Sequence, residues 1–194
     1  MASTGRRRGR ALTKDGLCER ALAIVDEEGL EALTMRRLAK DVGVKAPSLY
    51  NHVQSKEALI DGALSRMRSE LCLPDPPPED WMTLMEAIFT EYRRVLAAHP
   101  NMMPLAGRRL EGEGDSGLAF LAEQGFSREQ AVDLWQSMVA LVVGYSMFSS
   151  SYAETGTRGL SPEFEERVTE WRDDTCARTL RMIMEAYDVE RTAQ

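Results

Sequence analysis

The chain has 194 residues, of which 43% are hydrophobic and 28% charged. This composition excludes collagen-like repeats and wholesale disorder, because it supplies enough apolar surface to offset the entropy of ordering. The net charge of −7 is unevenly distributed: residues 1–56 contain 11 Lys and Arg against 7 Asp and Glu, and the remainder contains 13 against 24. A basic end is typical of a segment that binds an anion, although a solvated basic tail explains the charge equally well.

Residues 1–11 are rich in Arg, Gly and Ser and are predicted to form a flexible basic arm. Whether this arm enters a minor groove or only adds nonspecific affinity stays open at this point. No apolar stretch follows Arg10, so the sequence predicts no secretory signal and a cytoplasmic protein.

Four helices are predicted in residues 12–72, because apolar residues recur there every three or four positions. They run from Thr13 to Gly29, over Met35–Val42, from Pro47 to about His52, and onward from the capping residue Ser55. Gly43 breaks the second helix before the proline begins the third. No segment of the sequence alternates with the period of a strand, so we predict an all-α protein.

An eight-residue helix, a turn that contains glycine and a short proline-initiated helix have the spacing of a helix-turn-helix motif. In such a motif the last of these helices presents its side chains to the major groove of DNA. The side chains predicted to read bases or phosphates are those of Ser48, Tyr50, Asn51 and His52. The residues around this face that are predicted to meet phosphates are Thr34, Arg36, Arg37, Lys45 and Lys56. A small helical bundle with an ordinary polar face is the alternative that the pattern leaves open.

Three stretches carry a family resemblance: Leu33–Val44, Pro47–Val53 and Lys56–Leu59. Together they closely resemble the DNA-binding domain of the tetracycline repressor (TetR) family. This resemblance implies an all-α, dimeric repressor that releases a double-stranded DNA operator when a small ligand enters its C-terminal domain. The resemblance also implies DNA contacts by Arg36, Pro47, Ser48, Tyr50, Asn51 and Lys56. Position 51 is often aromatic in the family, so we expect a different operator sequence here.

Leu73–Pro78 contains four prolines in six residues and is the predicted boundary between residues 12–72 and a second helical domain at 79–190. The predicted helices of this domain are Glu79–Ala98, Asn101–Arg109, Ser116–Gln124, a long helix from Ser127 to about Tyr152, and Glu163–Tyr187. Polar residues interrupt the apolar stretch of the long helix. We therefore predict a buried helix and no membrane span.

Two apolar stripes run along helices of the second domain. The first consists of Trp81, Met85, Ile88 and Tyr92, the second of Trp135, Met138, Val142 and Tyr145, and Met102 and Met103 lie between them. By pattern alone such stripes are ordinary core. However, Leu118–Ser127 resembles the C-terminal domain of the tetracycline repressor subgroup, which implies that these helices surround an effector cavity. The predicted ligand-binding residues are Ile88, Tyr92, Met103, Trp135 and Met138.

The resemblance also bears on the chemistry of the effector. The tetracycline repressor holds a magnesium–drug complex through a histidine, and the matching position here falls near Leu105 or Ala106, neither of which can coordinate a metal. The cysteines, Cys18, Cys72 and Cys176, are far apart and lack the spacing of metal ligands. We expect no metal, no other cofactor, and an apolar or aromatic organic effector.

A dimer interface is predicted from two features of the second domain. Ser137, Ala140 and Gly144 form a small-residue stripe, and the last helix offers Leu180, Ile183, Met184 and Tyr187. These helices can build the four-helix interface that the resemblance implies, although a seam within one chain explains the same pattern. Because two-fold operators require two reading heads, DNA geometry also favours a homodimer.

An enzyme is the least supported function class. The segment Gly114-Asp115-Ser116-Gly117 resembles the nucleophile segment of trypsin-like proteases, but that chemistry needs a histidine base held by a buried carboxylate. Nothing in the sequence places His52 or His99 beside Ser116, and a glycine-rich loop that ends in a helix cap explains the segment. We predict no catalytic residues. A helical module that binds another protein is the alternative to a DNA-binding regulator.

Overall fold

Helices are the only regular elements in the residues that the structure describes, which are 12–108, 110, 116–155, 161, 163 and 174–192 of a computed structural model of the chain. The predicted all-α fold is therefore confirmed. Contacts within the chain divide it into two compact units, Met1–Met67 and Arg68–Gln194. The predicted basic arm at 1–11 and the residues Gly114 and Asp115 lie outside the described residues.

The first unit contains the helices α1 (Lys14–Glu28), α2 (Met35–Val42), α3 (Ala46–Leu49) and nearly all of α4 (Lys56–Arg68), with a 3₁₀ turn at Leu30–Ala32. Side-chain caps fix three of the helix starts. The hydroxyl oxygens of Thr13, Thr34 and Ser55 accept hydrogen bonds from the backbone N–H three residues further on, at 3.0–3.1 Å. Each cap satisfies a backbone donor that the first helical turn leaves unpaired.

The core of the first unit is built from one apolar face of each helix. Its largest fully buried side chains are Leu17, Ile24, Leu33, Leu38, Leu49, Leu59, Leu64 and Met67. Helices α1 and α4 meet across a glycine, because a Cβ placed on Gly62 would lie 2.2 Å from Cys18 Sγ. The thiol of Cys18 is buried, and this burial raises its pKa above the ordinary value.

The second unit contains α5 (Trp81–Ala98), a 3₁₀-helix (Pro100–Leu105), α6 (Ser116–Glu123), α7 (Arg128–Thr155) and α8 (Asp174–Thr192). Asp80 caps α5, since its carboxylate accepts from the Thr83 amide at 2.8 Å. A reciprocal capping box begins α7. The Ser127 hydroxyl accepts from the Gln130 amide at 3.2 Å, and the Gln130 side chain accepts from the Ser127 amide at 3.0 Å.

Helix α7 is the centre of the second unit. By length and composition alone its Arg128–Ser151 stretch could cross a membrane. However, α7 packs against α5, α6 and α8, and Leu134, Met138 and Val142 on it are completely buried. One face of α7 therefore belongs to the core of the second unit, but only 28% of the apolar window of this stretch is buried inside the chain, so the helix is less buried than predicted.

Three predicted elements differ from the observed ones. The third helix ends at Leu49 rather than His52, because the next residues form a turn in which the Leu49 carbonyl accepts from the His52 and Val53 amides, both at 2.9 Å. The short helix predicted at Asn101–Arg109 is the 3₁₀-helix, which contains a proline without an N–H to donate. The last helix continues past the predicted end to Thr192, and residues 164–173 lie outside the described part of the chain.

Candidate nucleic-acid interface and ligand site

The turn between α2 and α3 has the geometry of a helix-turn-helix. Gly43 ends α2 in the left-handed region, with φ 74° and ψ 30°, which a residue with a side chain adopts only at a cost. The Val44 amide then donates to the Ala39 carbonyl at 2.9 Å, and Pro47 occupies the first turn of α3, where no backbone donor is needed. Leu49, completely buried, anchors α3 to the rest of the unit.

The predicted DNA-contacting residues lie on the outer surface of this motif. Those that are exposed are Thr34, Arg36, Lys45, Pro47, Tyr50, Asn51 and His52, and those that are half-buried are Ser48 and Lys56. Tyr50 leaves 54% of its surface open, which is unusual for an aromatic side chain beside a core. The structure therefore presents the α3 residues and the turn after them to solvent, while Thr34 uses its hydroxyl to cap α2.

An ion-pair network between α1 and α2 involves one of the residues predicted to meet phosphates, Arg37. Arg37 hydrogen-bonds to Glu28 with two guanidinium nitrogens and to Asp41 at 3.3 Å, and Arg20 donates to Asp41 at 2.7 Å. The guanidinium of Arg37 lowers the pKa of Glu28, and that of Arg20 lowers the pKa of Asp41, so both carboxylates stay ionised. Arg37 thus has two carboxylate partners within the first unit, which the sequence did not predict.

The other cations predicted to meet phosphates are Arg36, Lys45 and Lys56. Within the part of the chain that the structure describes, none of the three makes an ion pair. They stand on α2, at the residue before α3 and at the start of α4, on either side of the exposed Tyr50 in sequence. A polar, cationic surface without internal neutralisation is suited to bind an anion.

The predicted ligand residues come from three elements that pack together, α5, the 3₁₀-helix and α7. Tyr92, Met103 and Met138 are buried, whereas Ile88 and Trp135 are half-buried. The Tyr92 hydroxyl donates to the Ala106 carbonyl at 2.6 Å and so fastens the end of the 3₁₀-helix to α5.

Sequence reasoning missed Phe89 as a member of this cluster. Phe89 is almost completely buried and packs edge-on against Trp135, with ring centroids 5.4 Å apart. The buried stripe of α5 is Trp81, Met85, Phe89 and Tyr92, whereas Ile88, which the sequence placed in this stripe, is half-buried. The spacing of four residues from Met85 is typical of the buried face, but so is the spacing of three that Ile88 has, so the sequence alone does not choose between them.

A second missed residue is Gly117 on α6. A Cβ at this position would lie 2.4 Å from the Trp135 ring, so α6 rests directly on the indole. Trp135 is therefore held between Phe89 on one helix and Gly117 on another. These two contacts fix the ring of Trp135, which is one of the predicted ligand-binding residues.

Within the second unit, residues 68–72 are fastened to α5 and to the 3₁₀-helix region. Arg68 donates to the Ala106 carbonyl at 3.2 Å and to the Arg108 carbonyl at 2.7 Å. His99 Nε2 lies 3.0 Å from a Glu70 carboxylate oxygen, and the Cys72 amide donates to Glu91 at 3.1 Å. His99 thus has a structural partner of its own.

An open groove of about 460 Å³ lies between residues 72–74, α5 and α8. It is lined by Thr83, Glu86, Thr90 and Leu180 among others. None of the five predicted ligand residues lines it. The groove is therefore not the predicted ligand site.

Part of the predicted dimer surface is core instead. Leu180 and Met184 are buried within the chain, because α8 packs its apolar face on α5 and α7. Other apolar residues of α7 and α8 face outward: Met147, Phe148, Met182 and Val189, with Phe148 61% exposed. Of the small-residue stripe, Ala140 is exposed and Ser137 and Gly144 are half-buried.

Comparison with known proteins matches both units to one family. Residues 17–63 match bacterial regulatory proteins of the tetR family, and residues 73–173 match the tetracyclin repressor-like C-terminal domain. An HTH-type transcriptional regulator of Saccharopolyspora erythraea is 32% identical over 78% of this chain and 68% of its own. The tetracycline repressor protein class C of Escherichia coli is 30% identical over 69% of this chain and 64% of its own, so the chain spans about two thirds of these relatives.

A solved structure extends the match to the fold. It is a TetR variant from Acinetobacter baumannii AYE in complex with minocycline, and it superposes with a TM-score of 0.79 at 27% identity. The superposition covers 93% of this chain and 95% of the other.

Proposed function

This chain belongs to the TetR family of bacterial regulatory proteins, and on that basis we propose how it acts. It is a ligand-responsive DNA-binding transcriptional regulator. We propose that it is a repressor that binds a two-fold double-stranded operator as a homodimer and that a small organic effector releases it. In keeping with a family of transcription factors, we expect no enzymatic activity.

The observation that carries the DNA-binding proposal is the exposed face of α3, anchored from behind by Leu49. The residues proposed to contact DNA are Thr34, Arg36, Lys45, Pro47, Ser48, Tyr50, Asn51, His52 and Lys56. Among them, Asn51 can pair with an adenine edge through its amide, and Tyr50 has a hydroxyl for a phosphate or a base. The cationic side chains supply affinity that does not depend on sequence.

The outward-facing apolar side chains of α7 and α8 support the homodimer. Soluble monomers rarely expose several large apolar residues on neighbouring helices, and such surfaces mark interaction sites. Phe148 and Met147 from α7 and Met182 and Val189 from α8 fit an interface between two identical copies. A two-fold interface would also match the symmetry of a two-fold operator.

The proposed effector is an apolar or aromatic organic molecule that binds among Ile88, Tyr92, Met103, Trp135 and Met138. Support comes from the aromatic and thioether side chains of this cluster and from the minocycline carried by the structurally similar protein. The absence of a metal-coordinating side chain at Leu105 and Ala106 favours an effector without magnesium. The effector can release DNA only as far as it prefers the released conformation over the bound one.

The test of the DNA-binding proposal uses labelled DNA from the region upstream of the gene. Binding is measured at two salt concentrations against scrambled competitor. We expect competitor-resistant binding that Tyr50→Ala combined with Lys56→Ala abolishes, while circular dichroism shows an intact fold. Binding that ignores sequence and vanishes with salt would instead favour the helical protein-binding module.

The effector proposal is tested on the preformed complex of protein and operator. Candidate aromatic compounds are titrated into it, and released DNA is followed by fluorescence anisotropy. A compound that binds tightly and leaves operator affinity unchanged would contradict the proposed coupling.

A further inference from the structure

A buried hydroxyl on α7 has no hydrogen-bond partner among the described residues. Ser146 is only 5% exposed, and its Oγ makes no hydrogen bond to a backbone or side-chain group. Serines within helices commonly bond the carbonyl four residues earlier, but no such bond to Val142 is present. The Ser146 hydroxyl is therefore hidden from water without any compensation inside the described structure.

The position of Ser146 on α7 places it in line with the proposed ligand site. Trp135, Val142 and Ser146 are separated by seven and four residues, which puts all three on one face of the helix. Val142 is completely buried. At a rise of 1.5 Å per residue, Trp135 and Ser146 mark the two ends of a stripe about 16 Å long.

The stripe is chemically asymmetric. At one end the Trp135 ring packs against Phe89, and Val142 lies in the middle, so these surfaces are apolar. At the other end stands the Ser146 hydroxyl, which can both donate and accept a hydrogen bond. Burying such a group unpaired is unfavourable, and alanine would avoid that cost at the same position. A polar atom that enters the unit beside Ser146 would remove the cost.

We propose that Ser146 is a specificity-determining residue of the effector site. It hydrogen-bonds the oxygen of a hydroxylated aromatic effector whose ring system lies along α7 toward Trp135. This inference rests on the proposed function, since it assumes that an effector binds between these helices. It adds the chemical class: an aromatic body with an oxygen function at the end remote from Trp135.

The test compares two probes that differ by one hydroxyl, 2-naphthol and naphthalene. Their Kd values for the full chain are measured by equilibrium dialysis with wild type, Ser146→Ala and Ser137→Ala. Ser137 is the matched control, because nine residues place it on the opposite face of α7. We expect Ser146→Ala to weaken 2-naphthol about three- to tenfold, the worth of one hydrogen bond, and to leave naphthalene within about twofold. Ser137→Ala should leave both unchanged.

A stability measurement makes the test independent of the probes. Because the hydroxyl has no partner in the free protein, Ser146→Ala should unfold at the same temperature as wild type or higher. A lower unfolding temperature would show that the hydroxyl already has a structural hydrogen bond and would overturn the proposal. Equal weakening of both probes, or no binding of either at 100 µM, would overturn it as well. Operator binding is measured on the same preparation. If the operator is still bound, a negative result with the probes counts against the role of Ser146 and not against the proposed DNA-binding function.

Discussion

Replacing Tyr92 by phenylalanine removes a single buried hydroxyl, the one that donates to the Ala106 carbonyl at 2.6 Å. The same carbonyl also accepts from Arg68 at 3.2 Å. Tyr92→Phe therefore leaves the carbonyl with one donor and costs only the net value of one hydrogen bond, about 1 kcal/mol. The full penalty of an unsatisfied buried carbonyl does not arise in this variant.

The double variant Tyr92→Phe with Arg68→Met tests whether the two side chains share the Ala106 carbonyl as an acceptor. Each single variant leaves the Ala106 carbonyl one donor, whereas the double variant removes both. Its loss of unfolding free energy should exceed the sum of the two single losses by about 1 kcal/mol, because an unsatisfied buried carbonyl costs about 1–3 kcal/mol. Non-additivity of this sign is expected for two groups that share a partner.

The assay is urea unfolding followed by circular dichroism at fixed protein concentration, since a dimer makes stability depend on concentration. Ile88→Val on the same helix serves as the control, because it removes one methylene from a half-buried side chain and touches no hydrogen bond. Additive losses in the double variant, or a Tyr92→Phe variant as stable as wild type, would refute the assignment of this carbonyl as a shared acceptor.

Three further predictions concern the other contacts. Gly62→Ala should lower the unfolding free energy by about 1–3 kcal/mol in urea unfolding, because the new methyl would overlap Cys18 Sγ; a neutral result would mean that α1 and α4 move apart freely. The guanidinium of Arg20 on α1 holds the pKa of Asp41 below its ordinary value of 3.8. The Asp41 carboxylate therefore stabilises the fold at pH values above 3.8, and this stabilisation is lost as the pH falls further. Asp41→Asn should therefore flatten the fall in thermal midpoint between pH 6 and pH 3, and an unchanged slope would contradict the ion pair. Phe148→Arg should convert the proposed homodimer into monomers in light scattering, whereas Gln136→Arg on the same helix should not.

The helix starts were predictable from sequence because they depend on neighbouring residues. Thr34 caps α2 through an amide three residues away, and Gly43 ends the helix through its own backbone freedom. Both signals lie within a few residues of the boundary that they determine. The helix-turn-helix and its exposed residues followed from the same local information.

The ligand cluster and the charge network were less predictable because they depend on distant residues. Seven and eight residues after Trp81 both fall near one face of α5, and only the packing of α7 through Trp135 selects Phe89 over Ile88. Likewise, Arg37 is read from sequence as a phosphate contact until α1 brings Glu28 beside it. An apolar stripe such as that of α8 does not tell whether its partner is the same chain or a second copy.

The ion-pair network of α1 and α2 also affects how steeply DNA binding depends on salt concentration. Each cation that neutralises a phosphate releases condensed counterions and steepens the logarithmic salt dependence of binding by about 0.9. Arg37 already has two carboxylate partners, so we expect replacement of Arg37 to change this salt dependence less than replacement of Arg36 does. The number of basic residues in the first unit therefore overstates the number of ions that it can displace from an operator.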